Sequence, residues 1–297
     1  MTTEKILLTG CRGQLGFELT RSLSLLGDLY AFDKTDFDLE DIDGMREIVR
    51  KVSPQVIVNA GAFTKVDLAE DRVDKVHQIN AIAPEVLANE ANSLGAMLVH
   101  YSTDYVFDGL KEGPYHELDK TSPLNVYGAS KAAGEQAVID NCSRYLILRT
   151  SWVIGSYGSN FIKTILKLGG QRDFLKVVAD QVGAPTSAAL LSDLTAHLVK
   201  RALNKQTTFP YGLYHAAATG HTSWHSFARH IVHQARTLGH PIKITPDSIF
   251  PISTAEYPTA ARRPANSVLD STKLRETFGL AMPNWKVSAD HILRQIL

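Results

Sequence analysis

The chain opens on a short aliphatic run, Lys5–Thr9 (KILLT), followed by a glycine-punctuated turn and a helix-like stretch from Gln14 to Leu26. A second apolar run, Leu29–Phe32, ends at Asp33; the amphipathic segment Ile42–Val52 follows, and Gln55–Asn59 (QVIVN) reads as a third buried strand. The rhythm continues with a helix over Val73–Ser93, a strand over Met97–Ser102, a helix over Ser130–Asp140 and a strand over Tyr145–Arg149. A strand covered by helices on both faces has no polar face to show. Uninterrupted apolar strands alternating with helices therefore predict an α/β fold built on a doubly wound parallel sheet.

Past Trp152 the rhythm loosens. Ser156–Asn160 reads as loop and Phe161–Leu168 as helix, while Pro185, Pro210, Pro241, Pro246, Pro251, Pro258 and Pro264 interrupt the remainder. The expected organisation is a first domain over residues 1–155 and a smaller C-terminal lobe over 156–297 that mainly binds substrate, with some of its segments returning to the first domain. No repeat, low-complexity tract or Pro/Gly/Ser linker separates the two.

Composition narrows the classes of function. Hydrophobic residues make up 44% of the 297 and charged residues 21%, enough to bury a sizeable core. Lys plus Arg balances Asp plus Glu at 31 each, so no broad basic field favours nucleic acid or anionic lipid. Met1–Lys5 carries no basic leader, and no apolar run is long enough to span a bilayer, which points to the cytoplasm. Cys11 and Cys142, far apart and outside any ligand spacing, read as free thiols.

Gly10, Gly13 and Gly16 stand in TGCRGQLG, directly after the first strand and at the opening of its helix. Glycines there let a pyrophosphate approach the helix N-terminus, where free N–H groups and the helix dipole favour negative charge. An ordinary strand-to-helix turn would use the same glycines. Asp33, an acid at the end of the second strand, favours the dinucleotide reading, and with it a Rossmann domain. Asp33 is placed to accept hydrogen bonds from an adenosine ribose and to repel a 2′-phosphate, which leans toward NADH. Lys34 beside it supplies compensating charge and keeps NADPH open, and a solvated turn accounts for both residues equally well.

Tyr127 and Lys131 (YGASK) fall on one face of a helix at four-residue spacing. A free phenol, with a pKa of about 10, is a sluggish acid near neutrality. The neighbouring ammonium is expected to stabilise the phenolate and lower that value, so that a proton passes to a developing alkoxide. A YxxxK pair also arises by chance in helices. Ser102, Thr103 and Asp104 raise its standing, because they end an apolar strand at the sheet edge where open α/β folds place ligands. Thr103 would donate to a carbonyl oxygen that Tyr127 protonates; its other reading is a strand-end cap.

Seven ordered segments carry a resemblance that spans essentially the whole chain: TGCRGQLGFEL from Thr9, VIVNAGAFTKVDLAE from Val56, HYSTDYVFDG from His100, SPLNVYGASKAAGE from Ser122, LRTSWVIG from Leu148, DQVGAPT from Asp180 and YPTAARRPANSVLD from Tyr257. The chain resembles the extended short-chain dehydrogenase/reductases, and within them the dTDP-4-dehydrorhamnose reductases. The resemblance implies NADPH- or NADH-dependent reduction of the C4 ketone of a dTDP-linked 4-keto-6-deoxyhexose, in dTDP-rhamnose synthesis for cell-surface polysaccharide. It implies Thr103, Tyr127 and Lys131 as the catalytic set, with Lys131 also holding the nicotinamide ribose. It implies Gly13, Gln14, Leu15, Asp33, Asp38, Leu39, Ala62, Phe63, Thr64 and Tyr101 as cofactor contacts, with Tyr127 also touching cofactor and Thr103 also touching substrate. Asp104 and Trp152 are implied as substrate contacts, with Val66 and Asp67 beside them.

Some members are similar to magnesium-bridged dimers that use three glutamates. The matching positions are Glu18, Ala189 and Gln295, so two carboxylates are missing, which argues against a structural magnesium and for a monomer or metal-free homodimer. His221, His225, His230 and His233 are metal-like by number alone, without nearby Cys or acidic ligands. Arg262 and Arg263 are expected either at the substrate phosphates or as a surface pair. Two other functions share these signals: a non-catalytic nucleotide-binding regulatory subunit, which has no chemical reason to keep Thr103, Tyr127 and Lys131, and a reductase or epimerase of a related nucleotide-4-ketosugar.

Overall fold

A computed structural model describes residues 3–204 and 208–297; Met1 and Thr2, at the head of the stretch read for a leader, lie outside the described residues. Strands β1 (Lys5–Thr9), β2 (Asp28–Phe32), β3 (Val56–Asn59), β4 (Met97–Thr103) and β5 (Tyr145–Thr150) join Gly212–His215 in one six-stranded sheet. All pairings within it are parallel, in the order β2-β1-β3-β4-β5 and then Gly212–His215. The doubly wound parallel sheet is as expected.

Alternation along each strand divides the core. Ile6 and Leu8 of β1, Val58 of β3 and Val99 of β4 face one side, against Leu19 and Leu23 of helix α1 (Gln14–Leu23) and Leu191, Leu194 and Leu198. Leu7, Ile57, Leu98 and Ile147 face the other side, against Met45 and Val49 of helix α2 (Ile42–Val52) and Leu87, Ala91 and Val138. From β1 the chain crosses one way to β2, then back past β1 to β3. This reversal opens a crevice beyond the carboxyl ends of β1 and β3, where such sheets take ligands.

Two helices differ from the periodic reading in ways that bear on the site. The segment expected as one helix over Val73–Ser93 is α-helical over Val73–His77 and Ala83–Leu94, with a π-helical turn, Gln78–Ile82, between them. The helix expected from Ser130 begins at Val126, because the Asn125 side chain accepts from the Gly128 N–H at 2.7 Å and caps it. Tyr127 therefore sits in its first turn.

From the C-terminal half, Ala188–Leu203 packs beside α1 and Gly212–His215 pairs with β5. The rest gathers around Ile162, Ile165, Phe227, Ile231, Trp285 and Ile292, on helices Phe161–Gln171, Trp224–Thr237 and Trp285–Ile296. Strand Leu175–Val178 pairs in parallel with Ile249–Ile252 beneath them. No helix among the described residues is long and apolar enough to cross a membrane.

Candidate active site

A cleft of about 730 Å³ follows the crevice between β1 and β3 and extends over the ends of β4 and β5. At its floor the glycine loop is dictated sterically. Gly10 has φ +71°, and a Cβ there would lie 2.8 Å from the Gly61 backbone; a Cβ on Gly16 would collide with the Gly10 carbonyl. Gly13 N–H donates to Gly10 O at 2.9 Å, which turns the chain into α1. Helix α1 begins at Gly13 with no side-chain cap, whereas Asp41, Asn125, Asn160 and Ser187 each cap their own helices. Its first N–H groups are thus left to a ligand anion, and Gly10, Gly13, Gln14 and Leu15 line the cleft. The loop fits a dinucleotide pyrophosphate. Gly16 is not a lining residue; its role is to let α1 pack onto the loop.

Asp33 lines the next stretch with Asp38 and Leu39. Hydrogen bonds from the Thr35 hydroxyl and N–H hold its carboxyl below the usual range, and Arg12 adds to this with Nε 2.7 Å from Oδ2. The compensating cation is thus Arg12, which the sequence reading passed over. Lys34 does line the cleft, but its Nζ is taken up by Glu40 at 3.0 Å. Ala62, Thr64 and Tyr101 line the cleft further on, and Phe63 does not. Both backbone groups of Phe63 are instead clamped by Asn80, whose Oδ1 accepts from its N–H at 2.8 Å and whose Nδ2 donates to its carbonyl at 3.1 Å. Asn80 lies in the π-helical turn, a distortion that shows no hydrophobic signature in sequence.

Thr103, Asp104, Tyr127 and Lys131 converge where β4 ends. Thr103 Oγ1 donates to Asp104 Oδ1 at 3.0 Å, and Tyr105 N–H caps back onto it at 3.2 Å, so the hydroxyl is the strand-end cap while it borders the cleft. Burial pushes Asp104 up to about 6, against the Ser267 and Thr103 hydroxyls that favour its carboxylate. Tyr127 departs from expectation. Burial raises its pKa to about 12, and the Thr103 hydroxyl only partly opposes this. Lys131 does not bring the phenol down against burial; its Nζ donates to Tyr101 O at 2.6 Å and lies 3.2 Å from His100 Nε2. Burial in turn lowers Lys131 to about 8, against Glu135, which raises it. Ser102 and Thr150, two further lining residues, carry buried hydroxyls with no hydrogen-bond partner among the described residues.

Trp152 forms the outer wall, held with φ +46° and stacked on Trp224 at 3.5 Å between ring centroids. Gly183 admits the ring, since a Cβ there would lie 2.5 Å from it. Val66 also lines the cleft. Asp67 does not: Arg263 holds it at 2.7 and 3.1 Å, which turns that arginine away from the role of free phosphate ligand. Arg262 is exposed outside the lining, and its carbonyl accepts from Asn125 at 2.7 Å.

The histidines diverge. His225 bonds Ile249 O at 3.0 Å and His230 bonds Asp290 at 2.7 Å, and the described residues hold no cluster of three His, Cys, Asp or Glu able to bind a metal. Glu18 is buried beside Arg21 at 3.4 Å, and Gln295 bonds His291 at 3.1 Å.

Residues 4–297 match the family model described as the RmlD substrate binding domain. The dTDP-4-dehydrorhamnose reductase of Escherichia coli K12 is 46% identical, with 98% of this chain and 97% of that protein covered. Its counterpart in Burkholderia thailandensis is 43% identical, with 99% of each covered. Among solved structures, the Bacillus anthracis dTDP-4-dehydrorhamnose reductase in complex with NADP superimposes with a TM-score of 0.89 at 38% identity, covering 99% of this chain and 100% of that one. By fold, cleft and full-length similarity, this chain belongs to the RmlD substrate-binding domain family, among the dTDP-4-dehydrorhamnose reductases.

Proposed function

We propose that the protein reduces the C4 ketone of dTDP-6-deoxy-L-lyxo-4-hexulose to dTDP-L-rhamnose in the cytoplasm, with NADPH or NADH as reductant. The observation that carries this reading is the meeting of Thr103, Tyr127 and Lys131 in a cleft whose floor is an uncapped helix N-terminus. Bound there, the nicotinamide supplies hydride to the carbonyl carbon. Gly10, Gly13, Gln14 and Leu15 would hold the pyrophosphate. Asp33, Asp38 and Leu39 would hold the adenosine end with Arg12, and Ala62, Thr64 and Tyr101 the nicotinamide half.

Tyr127 keeps its proton near neutrality because burial disfavours the phenolate, and it releases that proton to the carbonyl oxygen as negative charge grows there. Thr103, its hydroxyl proton turned from Asp104 to the substrate, would donate a hydrogen bond to the same oxygen. Lys131, an ammonium below about pH 8, would offset the charge left on Tyr127 and would hold the nicotinamide ribose. Trp152, braced by Trp224, offers an apolar wall to the deoxysugar, and Asp104 a polar contact, with Val66 beside them. Residues 1–155 would serve the cofactor and 156–297 mainly the substrate, apart from Ala188–Leu203 and Gly212–His215, which return to the sheet. The glutamate-poor positions Ala189 and Gln295 support a monomer or a homodimer without bridging magnesium.

The test is incubation of purified protein with the ketosugar and each reduced cofactor in turn, with NMR analysis of the product. Consumption of NAD(P)H that yields dTDP-L-rhamnose is expected. A product of the other C4 configuration, or no consumption, rejects the assignment.

A further inference from the structure

His100, on β4, lies outside the cleft lining and has no part in the reaction described above. It is 1% exposed, and each ring nitrogen meets one polar group. Nε2 lies 3.2 Å from Lys131 Nζ; Nδ1 lies 3.1 Å from the Asn59 side-chain amide, on the neighbouring strand β3. Asn59 in turn meets the Thr9 hydroxyl at 2.7 Å, and Thr9 ends β1 just before the glycine loop. A buried line of side chains thus joins Lys131 to the cofactor loop.

Hydrogen-bond accounting restricts this line. A neutral imidazole has one N–H and one lone pair, and an ammonium only donates. With Lys131 charged, Nε2 must accept, so Nδ1 carries the proton and Asn59 must present its oxygen to the ring. A half-turn of the amide does this with every heavy atom in place: Asn59 N–H then points to Thr9 Oγ1, which also accepts from Gly61 N–H at 3.2 Å. The hydroxyl proton of Thr9 is then free, and Thr9 borders the cleft.

The titratable surroundings are few. Glu135, one turn on along the Val126–Asn141 helix, is clamped by Arg149 of β5 at 2.6 and 2.8 Å. Tyr127 and Asp104 sit on the cleft side. Strand β3 offers Asn59 and the π-helical turn Asn80, neither of which titrates. His100 itself stays neutral, since burial and Lys131 both depress it.

We propose that His100 is a positioning residue for Lys131: Asn59 fixes its ring in the Nδ1–H form, and Nε2 then accepts from Nζ and keeps the amine charged at the edge of the cleft. The proposal rests on the reading of Lys131 as the charged partner of Tyr127. Its spectroscopic test uses ligand-free protein, so that it can fail while that reading stands.

Two spectroscopic arms test it. In ¹⁵N spectra of histidine-labelled wild-type protein near neutrality, the buried ring of His100 should be the Nδ1–H tautomer; the Nε2–H tautomer overturns the proposal. In ¹³C spectra of lysine-labelled protein, His100→Gln, whose amide can accept from Nζ and donate to Asn59, should titrate Lys131 within about 0.5 unit of wild type. His100→Leu should titrate it lower by about one unit or more, since a charge-assisted acceptor is lost. The basic limb of kcat/KM against pH should move with these midpoints. Equal midpoints in all three proteins, or a loss of turnover without any movement of that limb, reduce His100 to packing and overturn the proposal. Should His100→Leu fail to fold, the tautomer measurement on wild type decides.

Discussion

Tyr127 holds its proton because its surroundings penalise the phenolate, which suits a group that must donate. Tyr127→Phe should lower turnover by about 10²–10⁴-fold, the usual worth of a positioned acid, while NADPH still binds; fluorescence titration of the cofactor alongside steady-state rates separates the two effects. Asp104 gives a prediction for stability. Burial raises its folded pKa to about 6 from 3.8, so the stability it contributes is fully present below 3.8 and is lost as pH rises through 6. Near pH 7–8 the carboxylate is a burden of up to about 3 kcal/mol, at roughly 1.4 kcal/mol per unit. Asp104→Asn should therefore unfold at higher urea than wild type at pH 8 and at similar urea near pH 4; a gain that does not shrink on acidification sinks this account. The residue types Thr103, Tyr127 and Lys131 stand out in the sequence. The direction of the tyrosine shift does not, because it depends on how much water and charge surround a phenol in the folded chain.

At the scale of elements, the bare N-terminus of α1 makes the site and Gly16 makes that terminus possible. A methyl on Gly16 has no room beneath the Gly10 carbonyl, so Gly16→Ala should cost about 1–3 kcal/mol of stability and weaken NADPH binding, both measurable by urea unfolding with and without cofactor. The Val126–Asn141 helix is anchored to β5 by the buried pair of Glu135 and Arg149 at 2.6 and 2.8 Å. Glu135→Gln leaves that guanidinium uncompensated and should cost about 3–5 kcal/mol; Arg149→Met in the same background should recover part of the loss. Strand ends such as Thr9 and helix spans such as Ile42–Val52 were legible, since apolar period and Gly or Asp punctuation fix them locally. The start of the helix holding Tyr127 was not legible in the periodicity, which is weak there; the YxxxK spacing put Tyr127 on a helix, and the cap at Asn125 marks where it begins.

Across the whole molecule the cleft is assembled from distant parts of the chain: the loop after β1, the ends of β3 and β4, and a wall in which Trp152 stacks on Trp224. Ligand binding should therefore tighten the fold as a unit. At a hundredfold excess over its Kd, NADPH should raise the unfolding free energy by about 2.7 kcal/mol, and Tyr127→Phe should retain that gain. Stabilisation absent from wild type would contradict a cofactor site in this cleft, and stabilisation lost with the phenol would give Tyr127 a binding role that the reaction scheme does not require.

The sequence by itself determined the α/β class, the order of strands and helices to Arg149, the glycine turn and the residue types of the chemistry, because these follow from uninterrupted apolar strands, the 3.6-residue helical period and backbone freedom at glycine. Only the tertiary structure decided that Arg12 rather than Lys34 neutralises Asp33, that Arg263 is held by Asp67, and that Lys131 leans on Tyr101 and His100. Those outcomes depend on which charged or polar groups from remote segments meet, and on how far burial has removed the water between them. Neither quantity is written in local spacing.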